Sequence, residues 1–237
     1  MAILLKKGQG VSLRKEEFDL SQVTIGLGWD CEEPSQQRFE IVERAVERKK
    51  TGLSGLLGGT EIVREKVRIP IEWDLDVVAF LCDQNKKVKN LGDRENGKPT
   101  LVNGDIVFFN SLRHQSGQIW LTGDNVDGKG DGDDEQIIAN LNNIPSNYTT
   151  IAFIVQIYNG LRKGQSFGGV NNAFIRAVDK RGQEMVRYDL SGGAKFAQYR
   201  AMIFAELVRD GKDWKFNAIG EPFETDTFVD ILRNNYL

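Results

Sequence analysis

The chain has 237 residues, 31 Lys+Arg against 34 Asp+Glu and a net charge of −3, which argues against a globally basic nucleic-acid binder. Hydrophobic residues at 40% and charged residues at 27% are ordinary globular composition, which argues against intrinsic disorder. Two distant cysteines, Cys31 and Cys82, with no CxxC, exclude a disulfide framework and a cysteine zinc site and fit a reducing compartment.

In chain order, the first apolar run is Ile3-Leu4-Leu5, far too short for a signal-peptide core. No apolar stretch approaches the ~18 residues needed to span a membrane, and a cytoplasmic protein is expected. Strand-length runs rich in Val, Ile, Phe and Trp then follow: Gln22–Gly28, Leu75–Cys82, Asp105–Phe109, Gln118–Thr122 and Glu135–Leu141. They continue with Thr150–Tyr158, Ala173–Asp179, Glu184–Leu190, Arg200–Val208 and Asp213–Ile219. Lys180-Arg181-Gly182-Gln183 has hairpin length, and Asp210-Gly211 is a turn signal. The pattern predicts an all-β protein, an antiparallel β-sandwich of about ten strands, because no helices alternate with the runs. A short C-terminal helix is predicted where Phe228, Ile231 and Leu232 share a face, with Thr225 or Asp226 as its cap.

Between residues 36 and 70 charged and apolar residues alternate around the glycine-rich Gly52–Gly59. Phe39, Val42 and Val46 would share a helix face, but two charged strands fit as well. The alternation over Glu61–Ile71 favours a long hairpin with a mobile tip.

The segment with the most chemical content is Thr122–Gln136. Its twelve residues Asp124–Glu135 hold six carboxylates, Asp124, Asp127, Asp131, Asp133, Asp134 and Glu135, against Lys129. Like charges this dense repel, and screening over a Debye length of about 8 Å relieves the nearest pairs poorly. Oxygen donors on a Gly-rich backbone suit calcium, which takes about 6–8 oxygens in flexible geometry; magnesium is more demanding. An EF-hand is excluded, because Val126, Gly128 and Lys129 stand where its third ligand, fifth ligand and obligatory glycine belong. A solvated Asp/Gly turn is the alternative. Asp74 and Asp76 share one side of their strand and could complete a cluster with the loop, joined by Asp30 at the end of Gly26–Asp30.

Gly8-Gln9-Gly10, Val23–Asp30 (VTIGLGWD), Asp74-Leu75-Asp76, Phe108-Phe109-Asn110, Thr122-Gly123-Asp124-Asn125 and Gly130–Gln136 (GDGDDEQ) resemble the TerD family of bacterial tellurite-resistance and stress proteins. Gly164–Arg176, Tyr188-Asp189-Leu190, Ala201–Leu207 and Trp214–Gly220 extend the resemblance, which covers Ile3–Asp30 and Trp73–Gly220. It implies a single domain over residues 1–237, interrupted by a charged insertion at 36–70. It also implies calcium held by Asp30, Asp74, Asp76, Asp124, Asn125, Asp131, Asp133, Asp134 and Glu135. Relatives usually have a shorter connection where Cys31–Pro70 stands, between Asp30 and the Asp74-Leu75-Asp76 strand. Family members are linked to tellurite resistance, chemical and DNA-damage stress and phage resistance.

The expected function is therefore a non-enzymatic, calcium-organised adaptor whose partners are other stress-response proteins, with no nucleic acid. A calcium-dependent membrane-surface module is the alternative, and a metal-dependent hydrolase would need a general base. The single histidine, His114, reads as a solvated turn residue, and neither a G-x-S-x-G elbow nor a phosphate loop is present. Cys31 and Cys82 read as packing or strand-end residues rather than nucleophiles, since neither has a base evident in the sequence.

Overall fold

In the computed structural model, residues 2–30, 39–49, 60–71, 73–122, 132–190 and 193–237 are described. The chain divides into two compact units, Met1–Cys31 with Trp73–Leu237, and Glu32–Glu72. Gly52–Gly59 and Asp124–Asp131 of the sequence expectations lie outside the described residues.

The strands in chain order are β1 (Ile3–Leu5), β2 (Gly10–Leu13), β3 (Val23–Asp30), β4 (Phe39–Lys49), β5 (Thr60–Pro70) and β6 (Leu75–Cys82). Next come β7 (Arg94–Glu95), β8 (Lys98–Pro99), β9 (Ile106–Val107), β10 (Ile119–Leu121) and β11 (Glu135–Ala139). The series ends with β12 (Thr150–Ile157), β13 (Asn171–Val178), β14 (Glu184–Leu190), β15 (Ala201–Asp210) and β16 (Asp213–Phe223). One six-stranded sheet runs β1-β14-β13-β3-β11-β10 and the other β2-β16-β15-β12-β6-β9. Pairing is antiparallel except for β1 against β14, a parallel pair with Ile3 opposite Val186.

Alternation builds the core. Val23, Ile25 and Leu27 of β3 meet Leu75, Val77, Ala79 and Leu81 of β6 between the two sheets. The other side of β6 is apolar as well: Val78, Phe80 and Cys82 form a second cluster with the C-terminal segment. That segment is helix α2 (Phe228–Ile231), preceded in the chain by the single turn α1 (Gly160–Lys163) and followed by a π-type turn at Leu232–Tyr236. Its cap differs from expectation. Thr227, not Thr225 or Asp226, accepts the Val229 N–H, at 3.3 Å. Thr225 instead donates to Asp230 (2.8 Å), and Asp226 accepts the Leu161 N–H (2.9 Å). Cys82 is buried as expected, and burial foremost pushes its thiol up to about 12. Among the described residues no helix is long and apolar enough to cross a membrane.

The second unit holds a hairpin rather than a helix. β4 and β5 pair from Phe39 opposite Pro70 to Lys49 opposite Thr60. Val42 opposite Val67 and Val46 opposite Val63 form one half-buried face. On the opposite face Ile41 and Ile62 are exposed, and the Arg68 guanidinium lies 4.0 Å from the Phe39 ring centroid.

Candidate metal centre

Three backbones converge at one end of the sandwich. The antiparallel register Glu135 opposite Leu27 brings the start of β11 to the end of β3. Beyond that pair, Asp134 extends the ladder: its N–H donates to Leu27 O (2.8 Å), and its Oδ2 accepts the Trp29 N–H (2.9 Å). The Trp29 indole donates to Trp73 O at 3.3 Å, which ties the end of β3 to the lead-in of β6.

Glu135 has the parity of Ile137 and Ala139, so its side chain faces the core and is only 2% exposed. Its Oε2 accepts the Val77 N–H at 2.6 Å. β9 pairs only with Ala79 and Phe80, so the Val77 amide lies beyond the end of that strand. A buried amide needs an acceptor, and a charge-assisted bond of this kind contributes about 1.5–3 kcal/mol.

Asp133 goes elsewhere. It lies over Gly26 on the outer face of its sheet, where Oδ1 accepts from Arg176 Nε (2.8 Å) and Oδ2 from Gln136 (3.2 Å). Arg176 also holds Glu184 at 2.9 Å. Burial works against the guanidinium charge, but the two carboxylates outweigh it and hold the Arg176 pKa above its ordinary value. A Cβ on Gly26 would stand 2.1 Å from the Asp133 carboxylate. Gly26→Ala should therefore push Asp133 off Arg176 and destabilise by about 1–3 kcal/mol, measurable as a lower urea midpoint at unchanged m-value.

Asp76 has the parity of Val78 and Phe80 and faces the C-terminal segment. Its Oδ2 accepts from Gln156 Nε2 (2.7 Å), and Gln156 Oε1 accepts the Phe228 N–H (2.6 Å), so the carboxylate helps to seat α2. Asp74 shares that parity, and its carbonyl accepts the Tyr158 N–H at 2.8 Å. Asp30 stands opposite Asn171 in the ladder. Asp124, Asn125 and Asp131 lie outside the described residues. Among the described residues, no three His, Cys, Asp or Glu side chains are grouped closely enough to hold an ion. What converges there is backbone: Asp134 and Glu135 are held on the Trp29 and Val77 amides, while Asp76 faces the C-terminal segment from the other side of β6.

These donors are oxygens without exception, which fits a hard cation such as calcium. Asp133 fits it least, because Arg176 already neutralises its charge. Sequence reasoning missed that role for Arg176; its one signal was a charge in mid-strand, at an outward position of Ala173–Asp179.

His114 corrects an expectation. It is buried, not solvated, at 1% exposure. Nδ1 lies 2.8 Å from Ser116 Oγ, Nε2 lies 3.4 Å from Asp105 Oδ1, and the ring stands edge-on to Tyr148 at 5.3 Å. Tyr148 OH donates to Asp105 Oδ1 (2.8 Å), and the Asn90 N–H donates to Oδ2 (2.9 Å). Burial pushes the Asp105 carboxyl up, but bonds from His114, Asn90 and Tyr148 outweigh it and hold it below its ordinary range. Burial, and then the bond to Asp105, push the Tyr148 phenol up to about 12. Ser116 belongs to the turn, its Oγ accepting the Gln118 N–H at 3.2 Å, so the network locks a loop.

A family model described as the TerD domain matches residues 1–236. The "Tellurium resistance protein TerX" of Serratia marcescens is 58% identical over 99% of this chain and 99% of its own. The "Stress response protein SCP2" of Bacillus subtilis is 35% identical over 98% of each chain. Among solved structures, a homologue of the telluride resistance protein TerD from Streptomyces coelicolor superposes with a TM-score of 0.55. It covers 88% of this chain and 94% of its own at 16% identity, a likeness of fold.

Proposed function

The chain belongs to the TerD family, whose members similar to it are named tellurium-resistance and stress-response proteins, and we propose from that premise that it binds calcium. The ions would be held where β3, β6 and β11 meet. One observation carries this: Glu135 on Val77, Asp134 on Trp29 and Trp29 on Trp73 bring the acidic lead-in of β11 against the Asp74-Leu75-Asp76 segment. Asp74, Asp76, Asp134 and Glu135, with Asp30, Asp124, Asn125 and Asp131 from the flanking segments, would supply the oxygens. Calcium would offset the mutual repulsion of these carboxylates and order the end of the sandwich. The protein then serves as a metal-organised adaptor without chemistry of its own, working in the cytoplasm with other stress-response proteins.

Calorimetric titration with calcium tests this. Asp76→Asn keeps an oxygen to accept from Gln156 while removing a ligand's charge, so affinity should fall and the metal-free protein should stay folded or gain slightly. Asp131→Asn should fall likewise, and the two effects should couple because ligands of one site are not independent. Calcium binding unchanged in both variants would sink the two-element site. Pelleting with acidic liposomes that depends on calcium would instead favour a membrane-surface module.

A further inference from the structure

A cavity of about 520 Å³ opens beside the β1–β14 edge and β16, within the roughly 300–1,000 Å³ usual for ligand pockets. It shares no residue with the carboxylates above. Its walls join unlike chemistries. Lys6 and Lys7, just past β1, and Lys195, in the turn Ala194–Phe196, bring three ammonium groups to it. All three are exposed, and none forms an ion pair with a described residue. Asp189 is on the wall too, but Arg187 Nε engages its carboxylate at 2.6 Å. Positive charge is thus concentrated locally on a chain whose net charge is −3.

Tyr188 makes this more than a lysine patch. It is only 5% exposed, and its ring packs on Phe204 with centroids 5.4 Å apart. Its hydroxyl lies over Gly220, where φ is +62° and a Cβ would stand 2.1 Å from that oxygen. Among the described residues no group hydrogen-bonds this hydroxyl, which borders the cavity at Gly220. The hydroxyl is not sealed from solvent, so from the same wall as the lysines it is open to donate to a ligand that accepts. Opposite in character are the half-buried rings of Phe196 and Tyr199, 6.4 Å apart and edge-on, which give a planar group an apolar surface.

We propose that this pocket binds a small phosphate monoester of a planar ring, with phosphate oxygens accepting from Lys6, Lys7, Lys195 and Tyr188 and the ring lying on Phe196 and Tyr199. A phosphate presents several anionic acceptors at once, which matches three ammonium groups and a hydroxyl better than a single carboxylate does.

The test titrates the full chain with 1-naphthyl phosphate, inorganic phosphate and 1-naphthol, all in EDTA so that bound calcium cannot bridge the phosphate. Naphthyl phosphate should bind saturably and more tightly than either fragment. The double variant Lys6→Gln, Lys195→Gln, whose sites are exposed, should weaken it about tenfold or more. Tyr188→Phe should weaken it several-fold with an unchanged thermal midpoint, since the hydroxyl holds nothing in the described protein. Absence of saturable binding, or equal binding by the lysine variant, overturns the proposal. Naphthol binding as well as its phosphate overturns the anion site, and inorganic phosphate binding as well as the ester overturns the ring site. A failure of this pocket leaves the calcium reading untouched, because EDTA removes that metal from every arm.

Discussion

Millimolar calcium is expected to raise the midpoint of thermal unfolding by roughly 5–10 °C over EDTA. Binding to the native state alone contributes about 2.7 kcal/mol when free ion is 100 times the dissociation constant. For a chain of roughly 150–250 residues each kcal/mol moves the midpoint by about 2–4 °C. The effect should be large if the proposed site binds calcium, because bonds from the protein's own Trp29 and Val77 amides already fix the Asp134 and Glu135 carboxylates. Little of the binding energy then goes into ordering those two ligands. Magnesium should give a smaller rise, since it prefers an octahedral shell with several waters. Glu135→Gln keeps an oxygen for the Val77 amide but loses the charge, so the calcium-dependent rise should shrink while the metal-free midpoint moves little. Equal midpoints in EDTA and millimolar calcium would refute a folded-state site.

Local pattern made most strands legible, because burial on one face writes period-two alternation into the sequence. Leu75–Cys82 and Glu184–Leu190 match their predicted bounds, and β3 runs two residues further than Gly28. The hairpin in the second unit was legible for the same reason, through alternation over Glu61–Ile71. What alternation does not carry is which strands are neighbours. Nothing near Ile3 announces its parallel partner Val186, and nothing near Asp133 announces Arg176, 43 positions away. Grouped in sequence, the acidic residues part in space: Asp133 turns to one face of its sheet while Glu135 enters the core. A one-residue bend at Asp134 separates them, and composition is blind to such a bend. His114 shows the same limit, since the residues that bury it arrive from positions 105 and 148. The pocket around Tyr188 went unnoticed because its walls come from four places far apart in sequence, near Lys6, Tyr188, Phe196 and Gly220, and nothing local announces that they meet.

Asp105→Ala is expected to cost about 3–5 kcal/mol, a large part of a domain's typical 5–15 kcal/mol. The carboxylate is 2% exposed and serves the Tyr148 hydroxyl, the Asn90 amide and His114 Nε2 together. Removing it leaves the buried Tyr148 hydroxyl and His114 ring and the half-buried Asn90 amide without their acceptor, and the loss exceeds that of any one bond. Asp105→Asn should cost less, because an amide oxygen still accepts from one side while its NH₂ opposes donors on the other. The network also fixes a pH dependence. In the folded state the Asp105 carboxyl is held below its ordinary range by the bonds from His114, Asn90 and Tyr148, which outweigh the upward push of burial. A lowered folded-state pKa means that the unfolded chain takes up the proton first as pH falls. The contribution of Asp105 is then complete above the ordinary carboxylate pKa and is lost as pH drops through the folded-state value. Urea unfolding of the parent and of Asp105→Ala, measured at neutral pH and stepwise into the acid range, reads both effects. The parent should lose stability on acidification, and the variant, already lacking this carboxyl, should show a shallower slope over the same window. Parallel slopes, or a neutral-pH cost under about 1 kcal/mol, would mean that Tyr148 and His114 find other partners when Asp105 is gone.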